Sequence, residues 1–100
     1  MSEDAFSFAP PPFKPEEALQ RLKRELRELG LAEREGRFER RGVAIAQAVV
    51  AGAAIEAAVV RKPSRGSPEW QKKSLKSGAD ARDFVADLRR RLAGWSDRDD

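Results

Sequence analysis

GVAIAQAVVAGAAIEAAVV, residues 42–60, is the one stretch of the chain with almost no charge, and its conformation decides the architecture. As a membrane span it is weak. Residues 43–60 number 18, barely the required length. Eight of the 18 are alanine, which contributes little to insertion. The valines and isoleucines together gain about 2–4 kcal/mol, most of which one central acidic residue cancels. Arg40 and Arg41 precede the stretch and Arg61 and Lys62 follow it, so no charge asymmetry orients a span. A soluble helix fails for another reason. Gln47 and Glu56 are nine residues apart, and nine steps of about 100° put them on opposite sides, leaving no dry face.

Two strands resolve the conflict. With Ala51-Gly52 as a two-residue turn, Val50 faces Ala53, Ala48 faces Ile55, and Gln47 lies opposite Glu56 as a cross-strand pair. The other face then carries Ala44, Ala46, Ala48 and Val50 against Ala53, Ile55, Ala57 and Val59. The hairpin is therefore expected over about 43–50 and 53–61.

Upstream, residues 1–12 lack apolar periodicity, end in three prolines and read as a disordered lead-in. Pro15 suits the first position of a helix over 15–29, with Glu16 and Glu17 at the positive end of its dipole. Leu19, Leu22, Leu26 and Leu29 form its apolar stripe, and Gly30 with Leu31 suits a Schellman cap against Leu26. LAEREG reads as a polar link. RFERR, about 37–41, reads either as a separate first strand or as the early half of a long strand bulged at Gly42.

Downstream, Pro63 stops the hairpin and residues 62–79 read as a basic loop. Within it, Ser67 and Pro68 suit the start of a helical turn bearing Trp70. A last helix is expected over 80–93, capped by Ser77 or Asp80. Its stripe is Ala81, Phe84, Val85, Leu88 and Leu92; Gly94 ends it, and 96–100 is a frayed tail. The fold class is thus α+β, one domain over 13–95: helix, two to three antiparallel strands, helix (α-β-β-β-α), the helices packed on a small sheet.

The chain has no histidine, cysteine or tyrosine, which excludes Ser-His-Asp and Cys-His catalysis and the usual zinc ligands. Its acidic residues alternate with arginine on helices or sit in the tail, where nothing raises a pKa into the catalytic range. No glycine-rich loop joins a strand to a helix. No enzyme activity, cofactor or metal is expected. The acidic, proline-rich start reads as no signal peptide, so cytoplasmic residence is the expectation.

Two kinds of partner remain. A protein-interaction or self-associating module, homodimer included, would use Val43, Ile45, Val49 and Val60, which share the face of Gln47 and Glu56. A nucleic-acid-binding module would use Arg61, Lys62, Arg65, Lys72, Lys73 and Lys76 around an exposed Trp70. That segment carries the charge asymmetry: residues 61–79 hold six basic and one acidic side chain, within a net charge of +3. Trp70 alternatively covers the edge of the core. The interaction module is the favoured reading.

The order of elements is similar to that of the double-stranded RNA-binding domain. That family places a basic KKxAK cluster at the start of its last helix, where this chain reads GADARD after a far longer connection, so no RNA-contacting residue is carried over. FKPEEALQRLKRELREL, KPSRGSPEW and LKSGADARDFVADLRRRLAGW together resemble a small bacterial protein family without an assigned function, over about residues 13–95. The resemblance implies a bacterial, soluble, stand-alone domain and supplies no substrate, cofactor or catalytic residue.

Overall fold

The computed structural model describes residues 13–98, and side chains from Phe13 to Trp95. The expected lead-in over 1–12, and residues 99–100 of the expected tail, lie outside the described residues. The elements in chain order are α1 (Pro15–Glu28), β1 (Ala32–Arg34), β2 (Arg37–Arg40), β3 (Val43–Ala51), β4 (Ala54–Val60), β5 (Trp70–Leu75) and α2 (Gly78–Arg98). The strands form one antiparallel sheet in the order β1-β2-β3-β4-β5. The class is α+β as expected, but the sheet has five strands where two to three were expected.

α1 begins at Pro15 and ends as its sequence predicts. Gly30, at φ +93°, donates its N–H to Arg27 O at 2.9 Å, and Leu31 N–H reaches Leu26 O at 3.3 Å. These are the paired bonds of a Schellman cap, and Leu31 is buried in the same cluster as Leu26. The cap turns the chain into β1, where Glu33 accepts ion pairs from Lys23 (3.0 Å) and Arg27 (3.2 Å) of α1. LAEREG is therefore a strand and a turn, not a link. Nothing in its exposed side chains signals a strand, because β1 is held by backbone pairing to β2 and by those two cations.

RFERR is a separate strand, β2, and Gly42 marks a turn, not a bulge: Arg40 pairs with Val43 around Arg41-Gly42, both at positive φ. Glu35-Gly36 makes the same kind of turn between β1 and β2. Positive φ at both central positions is the requirement of a type I′ hairpin.

The central hairpin forms, in a register two residues from the expected one. Ala51 pairs with Ala54 and the turn is Gly52-Ala53. Gly52 has φ +62° and takes the first turn position, where a type II′ hairpin places its glycine, instead of the second position expected from the sequence. Gln47 consequently pairs with Ala58, and Glu56 with Val49, not with each other. A two-residue shift keeps the paired residues 46–51 and 54–59 on their expected faces.

Residues 62–79 are not all loop. β5 pairs along β4 from Val60↔Trp70 to Ile55↔Leu75, and the expected helical turn at Ser67-Pro68 is absent. Pairing to β4 outweighs the helix-start signal, and the consecutive lysines are tolerated because β5 is an edge strand. α2 opens at Gly78: Ser77 Oγ accepts the Asp80 N–H at 3.1 Å, and the Asp80 carboxylate accepts the Lys76 N–H at 2.9 Å. Ser77 is thus the cap, and the Asp80 side chain holds the residue before it. α2 does not stop at Gly94 but continues to Arg98. The cost of a helical glycine, about 1 kcal/mol, is offset by Trp95, which packs against the core from the next position.

Both helices cover one face. Leu22 and Leu26 of α1 and Phe84, Val85 and Leu88 of α2 join Phe38, Ala46, Ala48, Ile55, Ala57, Val59 and Leu75 in a single buried cluster. By alternation the other face carries Arg37, Gln47, Val49, Glu56, Ala58, Trp70, Lys72 and Ser74. Arg91 Nη1 donates to Val60 O at 3.5 Å, tying α2 to the end of β4.

The apolar patch expected on that second face does not exist. Ile45 and Val60 are fully buried, Val43 is partly buried, and Val49, 55 % exposed, is the one large exposed hydrophobic among the described residues. The register shift between Phe38 and Glu39 gives β3 an extra residue opposite β2. Alternation breaks there, so Ile45 and Ala46 are both buried. Val60 pairs with Trp70, whose indole packs against the core cluster.

Candidate functional site

The seven residues expected to form one basic surface are divided by the fold among five places. Arg61 closes the β4–β5 connection: its N–H donates to Glu69 O at 3.0 Å and its guanidinium lies 3.7 Å from the Glu69 carboxylate. Lys62 and Arg65 line a cavity of about 400 Å³. Trp70 and Lys72 stand on the sheet face away from the helices. Lys73, one residue on, stands on the helix face, where its charge acts on Asp87 of α2. Lys76 precedes α2 and donates its backbone N–H to the cap.

The cavity gathers groups from three separated segments. Arg40, Arg41 and Val43 come from the β2–β3 turn, Lys62, Pro63, Ser64 and Arg65 from the connection after β4, and Trp95 from the last turns of α2. Antiparallel pairing brings the first two segments together, since the end of β4 lies beside the start of β3. Ser64 Oγ accepts the Gly66 N–H at 3.1 Å and shapes the connection. The lining holds four cationic side chains, an indole and the apolar side chains of Val43, Ile45 and Pro63, and no carboxylate among the described residues. Neither Arg40 nor Arg41 is without a partner in the chain. Such a cavity suits an anion with an apolar or aromatic part: guanidinium and ammonium groups neutralise the charge and the indole offers a stacking surface.

On the open face, Arg37 Cζ lies 6.0 Å from the centroid of the Trp70 ring, at the outer limit of cation–π attraction. Both tryptophans of the chain are thus beside arginines, Trp70 on the face and Trp95 at the cavity. Trp70 also covers the core, so the two readings of this residue hold together.

Sequence reasoning missed Arg37, Arg40, Arg41 and Trp95. A signal was present for two of them: Arg40 and Arg41 directly precede a glycine at a turn, which sends the pair to the end of the sheet. For Trp95 there was none, because Gly94 reads as the end of the helix.

Among the described residues no group of acidic side chains is placed to hold a metal ion, and no helix is long and apolar enough to cross a membrane. Glu33, Glu56 and Asp87 are engaged by Lys23 and Arg27, by Ser74, and by Arg90 and Arg91 respectively.

The structure defines a two-layer α+β domain with a basic cavity at one end of its sheet. Compared with protein-family models, with curated proteins and with solved structures, the chain matches none.

Proposed function

We propose that this domain is a non-catalytic nucleic-acid-binding module that holds phosphates in the cavity between the β2–β3 turn and the connection after β4. The observation that carries this reading is the convergence of Lys62 and Arg65, from the connection after β4, with Arg40 and Arg41 of the β2–β3 turn around Trp95. Phosphate neutralisation by such a cluster releases counterions, which gives affinity without sequence readout. A non-catalytic role is supported by Asp87: burial pushes its carboxyl up, but Arg91, Lys73 and Arg90 hold it below its usual value, away from the range a general acid needs.

Self-association or a protein partner is the reading favoured by the sequence, and it rests on Val43, Ile45, Val49 and Val60. With Ile45 and Val60 buried, that reading retains Val49 and the outer edge of β5. The cationic cavity is the better supported surface.

Fluorescence anisotropy with labelled mixed-sequence RNA and DNA at increasing salt tests the proposal. The logarithm of the affinity is expected to fall linearly with that of the salt concentration. Replacing Lys62 and Arg65 by glutamine is expected to flatten the slope by about 0.7–0.9 for each phosphate no longer neutralised. Salt-independent binding, or none, overturns it.

A further inference from the structure

We infer that the ligand is a single strand whose unpaired bases lie on the open sheet face at Trp70 and Arg37, with its phosphates directed to the basic cavity. This rests on the nucleic-acid reading above and adds two things to it, strandedness and the face used.

Arg37 is on β2 and Trp70 on β5, with β3 and β4 between them. Three strand spacings and an offset of two residues along the strand separate their backbones by about 16 Å, yet the guanidinium carbon is 6.0 Å from the indole centroid. The two side chains therefore lean toward each other over the row of Gln47 and Ala58. Ala58 is buried although no helix covers this face, and its small side chain leaves height for them. The guanidinium lies over the half-buried indole, and the outer face of this pair is a planar group on which a base can stack.

Beside them lies a hollow of about 310 Å³ lined by Gln47, Val49, Glu56, Ala58 and Lys72. It combines an amide, a carboxylate and an ammonium group, the donors and acceptors that a base edge requires. Charge sets the direction of the strand. The Glu56 carboxylate repels a phosphate at the hollow, whereas Lys62 and Arg65 at the cavity attract one. From Ala58 to Lys62 the chain spans about 13 Å at strand rise, so one ligand reaches both. A duplex buries the faces of its bases in its own stack and cannot use the indole.

Lys72 and Lys73 provide an internal control, because they are adjacent in sequence and face opposite sides of the sheet. The test compares a mixed-sequence single-stranded oligonucleotide with the blunt duplex of the same sequence. It uses the wild-type chain, Lys72→Gln, Lys73→Gln, and Trp95→Phe, which leaves Trp70 as the sole indole. Circular dichroism verifies that each variant folds. Expected are a preference for the single strand of about tenfold, the order of one base–aromatic stack, and quenching of Trp70 emission on binding. Lys72→Gln weakens binding several-fold, whereas Lys73→Gln stays within about twofold. Equal affinity for strand and duplex, an unchanged Trp70 signal, or equal losses in the two lysine variants overturns the inference and leaves the nucleic-acid reading standing. No binding to either probe overturns both.

Discussion

Asp87 is held by the two arginines one turn further along α2, at 3.1 Å from Arg90 and 2.8 Å from Arg91. Burial pushes its carboxyl up, but the hydrogen bond and charge of Arg91, with Lys73 and Arg90, outweigh it and hold the group below the usual 3.8. The folded state thus favours the ionised form. The stability this adds is complete above the unfolded pKa and is lost as the pH falls through the lower, folded one. Replacing Asp87 by asparagine is expected to lower the stability at neutral pH by about 1 kcal/mol or less, since the pair is partly solvated. The gap in thermal midpoint between the two proteins should close as the pH drops below the carboxylate range. A gap that persists unchanged through and below that range would contradict the assignment. The residue-level groundwork of the candidate site was only partly visible in the sequence. Lys62, Arg65 and Trp70 stood out by composition, whereas Arg37 acquires meaning only through Trp70 three strands away.

Elements with local signals at both ends were legible. α1 has its proline, its leucine stripe and its glycine cap, and all three operate as read. The start of α2 rests on Ser77, and its replacement by alanine is expected to cost about 1 kcal/mol in urea denaturation, the usual worth of a helix cap. No change would mean that the Asp80–Lys76 bond carries the turn unaided. The two edge strands were illegible for a shared reason. β1 and β5 have little apolar alternation of their own, reading AER and WQKKSL, and are held chiefly by the strand beside them. The hairpin register was missed by two residues because either neighbour of Gly52 can complete a two-residue turn. The choice falls to the φ > 0 demand at the first position.

Across the whole molecule, both helices occupy one side of a five-stranded meander and leave the other side to Trp70, Arg37 and polar side chains. The sheet ends in short or charged edges. A second copy pairing antiparallel along β5 would bring Lys72 and Lys73 of each chain together, a like-charge arrangement that edge strands use against association. Sedimentation velocity at high micromolar concentration is therefore expected to give a monomer. A dimer whose formation is promoted by salt would identify the β5 edge as the contact.

The sequence by itself determined the two helices, the central hairpin with the facing of its paired residues 46–51 and 54–59, and the catalytic chemistries ruled out by the missing histidine and cysteine. These follow from periodicity, turn residues and residue inventory, which act over one or two turns of chain. Tertiary structure alone decided that 70–75 is a strand, that Ile45 and Val60 are buried, and that Arg40, Arg41, Lys62, Arg65 and Trp95 surround one cavity. Strand pairing and the approach of α2 bring distant segments together, and no local pattern records which of them will meet.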